Sequence, residues 1–93
     1  MRLIPYRSKS FFFLVVAEYT GGCVDADGSW YETKPIHLGS GLDSGGCLQR
    51  CMEEPGAITG CTYRSLDGGC GAHSGNVVGG SGVNGWKCWK LKS

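Results

Sequence analysis

The sequence predicts a small α+β fold, with one short helix packed on a small antiparallel sheet and three disulfides holding them together. Three observations predict it. Six cysteines fall within 93 residues, at positions 23, 47, 51, 61, 70 and 88, and an even count in a short chain reads as a disulfide framework. Cys47 and Cys51 lie four apart within a segment that carries a helical apolar stripe. Cys61 and Cys70 flank an Asp-Gly turn between two strand-like runs, the strongest short-range signal for a hairpin.

The helix is expected between Ser44, a good first cap, and Pro55-Gly56, which stops it. Between them Cys47, Leu48, Cys51 and Met52 fall at i, i+1, i+4 and i+5, one stripe of a helix, while Gln49, Arg50, Glu53 and Glu54 take the wet side. Gly45 and Gly46 weaken the first turn, so the helix is short and depends on its cross-links. The hairpin runs from Gly60-Cys61-Thr62-Tyr63-Arg64 through Ser65 to Gly69 and into Cys70-Gly71-Ala72-His73. With an even-numbered loop, Cys61 and Cys70 project from the same face and can both look towards the helix.

Elsewhere the signals are weaker. Gly22-Cys23-Val24 reads as a first short strand, closed by Asp25-Ala26-Asp27-Gly28. Trp30-Tyr31-Glu32-Thr33 has β-favouring residues and is expected to pair back before Pro35, with Lys34 to Gly41 as loop. Asn76 to Gly85 is glycine-rich and loop-like, with Val77-Val78 as a possible short strand. Trp86-Lys87-Cys88-Trp89-Lys90-Leu91 closes the chain as a strand, Trp86 and Cys88 on one face, Trp89 and Leu91 on the other.

The first residues read as an export leader. Met1, Arg2, Arg7 and Lys9 precede the apolar run Phe11–Ala17, and Val15 and Ala17 fit the small-residue positions before a cut. A buried strand is the alternative for the same run. The cysteine pattern favours export, because disulfides persist in oxidising compartments. Residues 1–17 are thus the expected signal peptide and 18–93 the single domain, secreted and extracellular. The mature part would hold six basic against eight acidic residues, a net charge of −2, and all 17 glycines. No basic stripe remains for phosphate contacts, so nucleic acid is not an expected partner. The run is far too short to span a bilayer, and no membrane insertion is expected. The segments at Asn76 and Asn84 do not continue as glycosylation sequons. A core in so small a chain rarely suffices alone, and cross-links are the expected remedy.

Within a helix Cys47 and Cys51 would have Cβ atoms about 5–6 Å apart, whereas a disulfide wants about 3.8 Å. Each must reach another element, and the hairpin suggests the nested bonds Cys51–Cys61 and Cys47–Cys70, leaving Cys23 and Cys88 for the first and last strands. Six cysteines allow about fifteen connectivities, and spacing alone does not select one. A rival arrangement is a zinc site from Cys47, Cys51, Cys61 and Cys70, with His73 in reach. The Cys-X3-Cys pair fits a knuckle, but Cys61 and Cys70 are nine apart and form no second one.

Cys47-Leu48-Gln49-Arg50-Cys51, Gly60-Cys61-Thr62-Tyr63-Arg64 and Gly69-Cys70 together resemble the core of PAN/apple domains. In that family a helix with two cysteines a turn apart packs on a small antiparallel sheet and is stapled to a following hairpin. An aromatic two residues after the hairpin's first cysteine is typical, and Tyr63 fills that place. The apple subgroup adds a bond between the termini, so the resemblance implies Cys23–Cys88 beside Cys47–Cys70 and Cys51–Cys61. It covers about residues 22–91; the stretch Gly75 to Gly85 and the Cys88-Trp89 ending depart from the general pattern. It implies an extracellular module that binds carbohydrate or protein and has no catalytic residues of its own.

Other motifs carry less. Gly80-Ser81-Gly82-Val83-Asn84-Gly85 satisfies G-x-G-x-x-G as a string but lacks the following helix of a dinucleotide site. Asp25-Ala26-Asp27-Gly28 begins like a calcium loop, yet the glycine comes too early and Ile36 occupies the twelfth place, so a tight turn is expected. Six paired cysteines leave no thiol beside His37 or His73 for nucleophilic catalysis, and no enzyme activity or cofactor is expected. The candidate ligand surface is Trp30, Tyr31, Arg64, His73, Trp86 and Trp89: aromatic faces that stack on sugars or anchor proteins, with polar groups for orientation. The expected function is recognition of an extracellular glycan or protein. The alternatives are a disulfide-rich protease inhibitor or toxin-like protein, and a self-associating matrix protein.

Overall fold

The computed structural model describes residues 2–8 and 11–92. In chain order the strands are β1 (Arg2–Ser8), β2 (Phe11–Thr20), β3 (Cys23–Val24) and β4 (Pro35–Gly39), with a 3₁₀ turn at Tyr31–Thr33 before β4. Helix α1 (Ser44–Met52) follows, then β5 (Gly60–Arg64), β6 (Gly69–His73), β7 (Gly79–Gly80) and β8 (Trp86–Lys92). Six strands form one antiparallel sheet in the order β1-β2-β8-β5-β6-β4, and β3 with β7 makes a separate two-stranded ribbon.

The α1 stripe is buried as its spacing predicts: Cys47, Leu48, Cys51 and Met52 face inward. Its cap is Asp43 rather than Ser44, with the Asp43 carboxylate accepting the Gly46 N–H at 2.6 Å. A carboxylate at this position also meets the positive end of the helix dipole. On the wet side the Arg50 guanidinium pairs with Glu54 one turn on, at 3.0 Å.

Hairpin β5–β6 pairs Cys61 with Ala72 and Tyr63 with Cys70, so both cysteines lie on the helix side. The disulfides are Cys47–Cys70, Cys51–Cys61 and Cys23–Cys88, with Cα separations of 5.4, 6.0 and 5.0 Å, all ordinary for a disulfide. Every described cysteine is paired, so none of these sulfurs is a thiolate for the zinc arrangement. Around the two inner bonds Leu48, Met52, Ile58, Ala72, Trp89, Leu91 and Val15 close a core between helix and sheet.

Three local expectations need correction. Trp30–Thr33 turns as a 3₁₀ segment instead of pairing as a strand. The Ser29 hydroxyl accepts the Glu32 N–H within it, so local hydrogen bonding outweighs the β preference of the aromatics. Lys34 to Gly41 is not simply loop: Pro35–Gly39 is the edge strand β4, paired with β6. Pro35 stands first in an edge strand, where its missing N–H breaks no ladder. The ribbon partner of β3 is Gly79–Gly80, not Val77-Val78. A Cβ at Gly80 would lie 2.3 Å from the Thr20 carbonyl oxygen, so only glycine allows the ribbon to approach β2. Val77 instead packs against Cys23 and Cys88 in a second small cluster on the far side of the sheet.

The apolar run Phe11–Ala17 lies within β2, which pairs with β1 and β8. Met1, Lys9 and Ser10 of the predicted leader lie outside the described residues, as does Ser93.

Candidate functional site

Strand alternation sorts the sheet into two unlike faces. Towards α1 lie the rows Trp89, Cys61, Ala72 and Lys87, Tyr63, Cys70. On the other face the register lines up Trp86, Arg64 and Gly69 in one row, then Cys88, Thr62, Gly71 and His37 in the next. The ribbon β3/β7 covers Cys88 on this face through the Cys23–Cys88 bond. It stops short of Gly69 and Gly71, and a cavity of about 340 Å³ opens there. That is the low end of the range for small-molecule sites, about 300–1,000 Å³.

The cavity has a backbone floor and side-chain walls. Gly69, Gly71 and Thr62 lie beneath, Trp30 and Trp86 on one side, and Arg64, Asp67 and His37 around the rim. A Cβ added at Gly71 would find only the Ile36 carbonyl oxygen within 4 Å, at 3.4 Å, so the missing side chain is what leaves the cavity open. The Trp30 and Trp86 rings meet edge to face, centroids 6.1 Å apart, a favourable geometry for aromatic quadrupoles. The Arg64 guanidinium lies over the Trp86 ring, 5.3 Å from its centroid.

Arg64 is also tied to Asp67 across the hairpin turn. Its Nε donates to Asp67 Oδ1 at 3.0 Å and its Nη2 donates to Oδ2, a two-point pair, while the Gly69 N–H donates to Oδ1 at 2.9 Å. These donors pull the Asp67 carboxyl down to about 2, the guanidinium first and the backbone second, and Asp67 in turn raises Arg64.

His73 sits behind this wall, fully buried, and a chain of hydrogen bonds fixes its protonation. The Thr33 hydroxyl donates to the Trp30 carbonyl at 2.5 Å, so towards His73 Nδ1, 2.7 Å away, it can only accept. Nδ1 therefore carries the proton. Nε2 then accepts from the Thr62 hydroxyl at 2.7 Å, and that oxygen accepts the Cys23 N–H at 3.1 Å. Burial pushes the imidazole down to about 4, so the ring is neutral at pH 7. The ring stands edge-on to Trp30, which it holds in place.

Of the six predicted surface residues, Trp30, Arg64 and Trp86 come together at the cavity. His73 supports it from inside and offers no surface. Trp89 is buried in the core on the helix side, its indole N–H donating to Glu18 at 2.9 Å. Tyr31 is 82% exposed and does not line the cavity. Sequence reasoning missed His37, Asp67, Gly69 and Gly71. The signal for the glycines was present: if Cys70 and Ala72 face the helix, Gly69 and Gly71 must face the opposite way. Comparison with known proteins finds no match for this chain among family models, curated proteins or solved structures.

Proposed function

We propose that the chain is a secreted, non-catalytic recognition module of PAN/apple type, binding an extracellular carbohydrate or protein through the cavity on the sheet face away from the helix. The observation that carries this reading is the wall of Trp30, Trp86, Arg64 and Asp67 around a glycine floor. It combines an apolar surface with directed polar groups, the usual make-up of a ligand site. The helix stapled twice to the hairpin, with a third bond joining the ends, is the cross-linking implied by the family resemblance.

Export accords with three disulfides, which last in oxidising surroundings, and among the described residues no helix is long and apolar enough to cross a membrane. Binding without catalysis accords with the chemistry at hand. The described cysteines are all bonded, and His73 is sealed between two threonine hydroxyls instead of facing the cavity. The test is saturable binding of oxidised protein to broad glycan and extracellular-protein arrays, repeated with Trp86→Ala. Binding that falls at least tenfold in the variant supports the module; silence on both arrays overturns it.

A further inference from the structure

We propose that the cavity takes a single neutral pyranose unit, held through neighbouring hydroxyls against the Arg64–Asp67 pair, and discriminates against acidic sugars. The inference rests on the recognition-module reading and names the ligand class its site selects.

The argument begins with the guanidinium. An acidic sugar is best gripped by the planar fork of an arginine, through two parallel hydrogen bonds. Here the Nε–Nη2 edge of that fork is filled from within by Asp67, and the donors left on Nη1 and Nη2 lie beside its carboxylate. An incoming carboxylate would displace Asp67 or lie beside its charge. Asp67 holds that charge down to about pH 2, so the Arg64–Asp67 pair presents one positive and one negative group at any ordinary pH.

A neutral sugar meets no such obstacle. Each hydroxyl both donates and accepts. One can donate to the Asp67 carboxylate while its neighbour accepts from Arg64, and the ion pair stays intact. The remaining surface suits the rest of the ring. Trp30 and Trp86 line the cavity with apolar indole surface for the C–H groups of a pyranose, with Arg64 lying over the Trp86 ring, and His37 can give or take one further hydrogen bond at the rim. About 340 Å³ gives room for one ring.

The wall is also built in advance. Trp30 is pinned by the His73 ring and by the Thr33 hydroxyl on its carbonyl. Arg64 is pinned by Asp67 on one side and Trp86 on the other. Little ordering remains to oppose binding. The glycines keep the room: a Cβ at Gly69 would reach 2.9 Å from Asp67 Oδ1, and one at Gly71 would stand in the cavity itself.

The experiment is a two-dimensional NMR titration of the full, oxidised chain. The probes are the methyl glycosides of glucose, galactose and mannose, against glucuronic acid and N-acetylneuraminic acid. At least one neutral glycoside is expected to shift the Trp30 and Trp86 indole N–H signals saturably, with the acidic sugars at least tenfold weaker. Gly71→Val should weaken that binding at least tenfold while core signals around Cys51 and Cys61 stay in place. Asp67→Asn, which frees the fork but keeps an acceptor for the Gly69 N–H, should turn the preference towards the acidic sugars. Tighter binding of an acidic sugar by the unaltered chain overturns the proposal, as does Gly71→Val that binds normally. If no sugar binds while a protein on the array does, the neutral-sugar inference fails and the recognition module survives. Silence on both removes the module as well.

Discussion

The His73 imidazole stands edge-on to the Trp30 indole, with ring centroids 4.8 Å apart and planes at 86°. It joins the cavity wall to the sheet, and it does so only while neutral, because Nε2 must accept the Thr62 proton. Burial lowers its folded pKa from 6.5 to about 4. The unfolded chain therefore binds the proton first as pH falls. The stability due to the neutral ring is whole above pH 6.5 and is lost as pH drops towards 4, at roughly 1.4 kcal/mol per pH unit. Urea unfolding at pH 7.5, 5.5 and 4.5 should show falling midpoints. His73→Gln should flatten the trend. Equal midpoints across that range would show that the folded ring takes up its proton at the same pH as the unfolded chain.

The Arg64–Asp67 pair answers to pH in a different window. The Asp67 pKa is depressed to about 2 by Arg64 and the Gly69 N–H, so the pair holds from neutral pH down through the range where ordinary carboxylates take up protons. Side-chain carboxyl NMR should find Asp67 titrating well below the ordinary carboxylate range. Arg64→Gln should return it towards the ordinary value, leaving only the backbone donor to hold it down. An Asp67 that titrates in the ordinary carboxylate range would mean the pair does not persist in solution.

The three disulfides close loops of very different length, with sequence separations of 65, 23 and 10 residues. Loop-closure entropy in the unfolded chain then ranks their contributions at about 4.3, 3.4 and 2.7 kcal/mol. Removing Cys23–Cys88 as a pair of alanines should lower stability most, and removing Cys51–Cys61 least. Urea midpoints of the three double variants test this order. A reversed order would show that packing around the Cys51–Cys61 pair in the helix-side core outweighs chain entropy.

How much was legible in the sequence follows from how local each signal is. The α1 stripe and the β5–β6 turn depend on residues a few positions apart, and both were readable, with side-chain parity placing Cys61 and Cys70 on the helix side. Strand β4 was not readable, because Pro35–Gly39 is held by pairing with β6 over thirty residues away. The ribbon β3/β7 failed for the same reason: Gly79–Gly80 has no strand propensity, and only the crowding at Thr20 selects it. At the site, the aromatics and Arg64 announced themselves by type. The floor is made of absent side chains, implied only indirectly, by parity within β6 once Cys70 and Ala72 face the helix.

Gly80 tests that crowding directly. A methyl group there would press on the Thr20 carbonyl at 2.3 Å and on the Tyr19 Cβ at 2.8 Å. Backbone cannot swing aside as a flexible side chain can, so Gly80→Ala should destabilise the fold by about 1–3 kcal/mol. Gly79→Ala, with nothing within 4 Å of its Cβ, should be close to neutral. Thermal denaturation of the two variants separates the outcomes, and equal melting temperatures would remove the close approach of β7 to β2.

The proposed cut after Ala17 falls inside β2, beside its own irregularity. Val15 pairs with Leu91 and Ala17 with Lys90, so the register shifts by one residue between them. Glu18, Tyr19 and Thr20 lie beyond the shift and would keep their partners Trp89, Cys88 and Lys87 after cleavage. Glu18 would also keep the Trp89 indole N–H. What leaves with the leader is β1 and β2 as far as Ala17, including Val15, 1% exposed in the helix-side core, and burying such a side chain alone contributes about 1.5–3 kcal/mol. The chain starting at Glu18 should therefore fold with the same disulfides but unfold at lower urea than the full chain. Intact mass of protein collected from the medium of a secreting host is expected to match a start at Glu18. Recovery of the chain with residues 1–17 still attached would make β1 and β2 permanent parts of the sheet and end the leader reading.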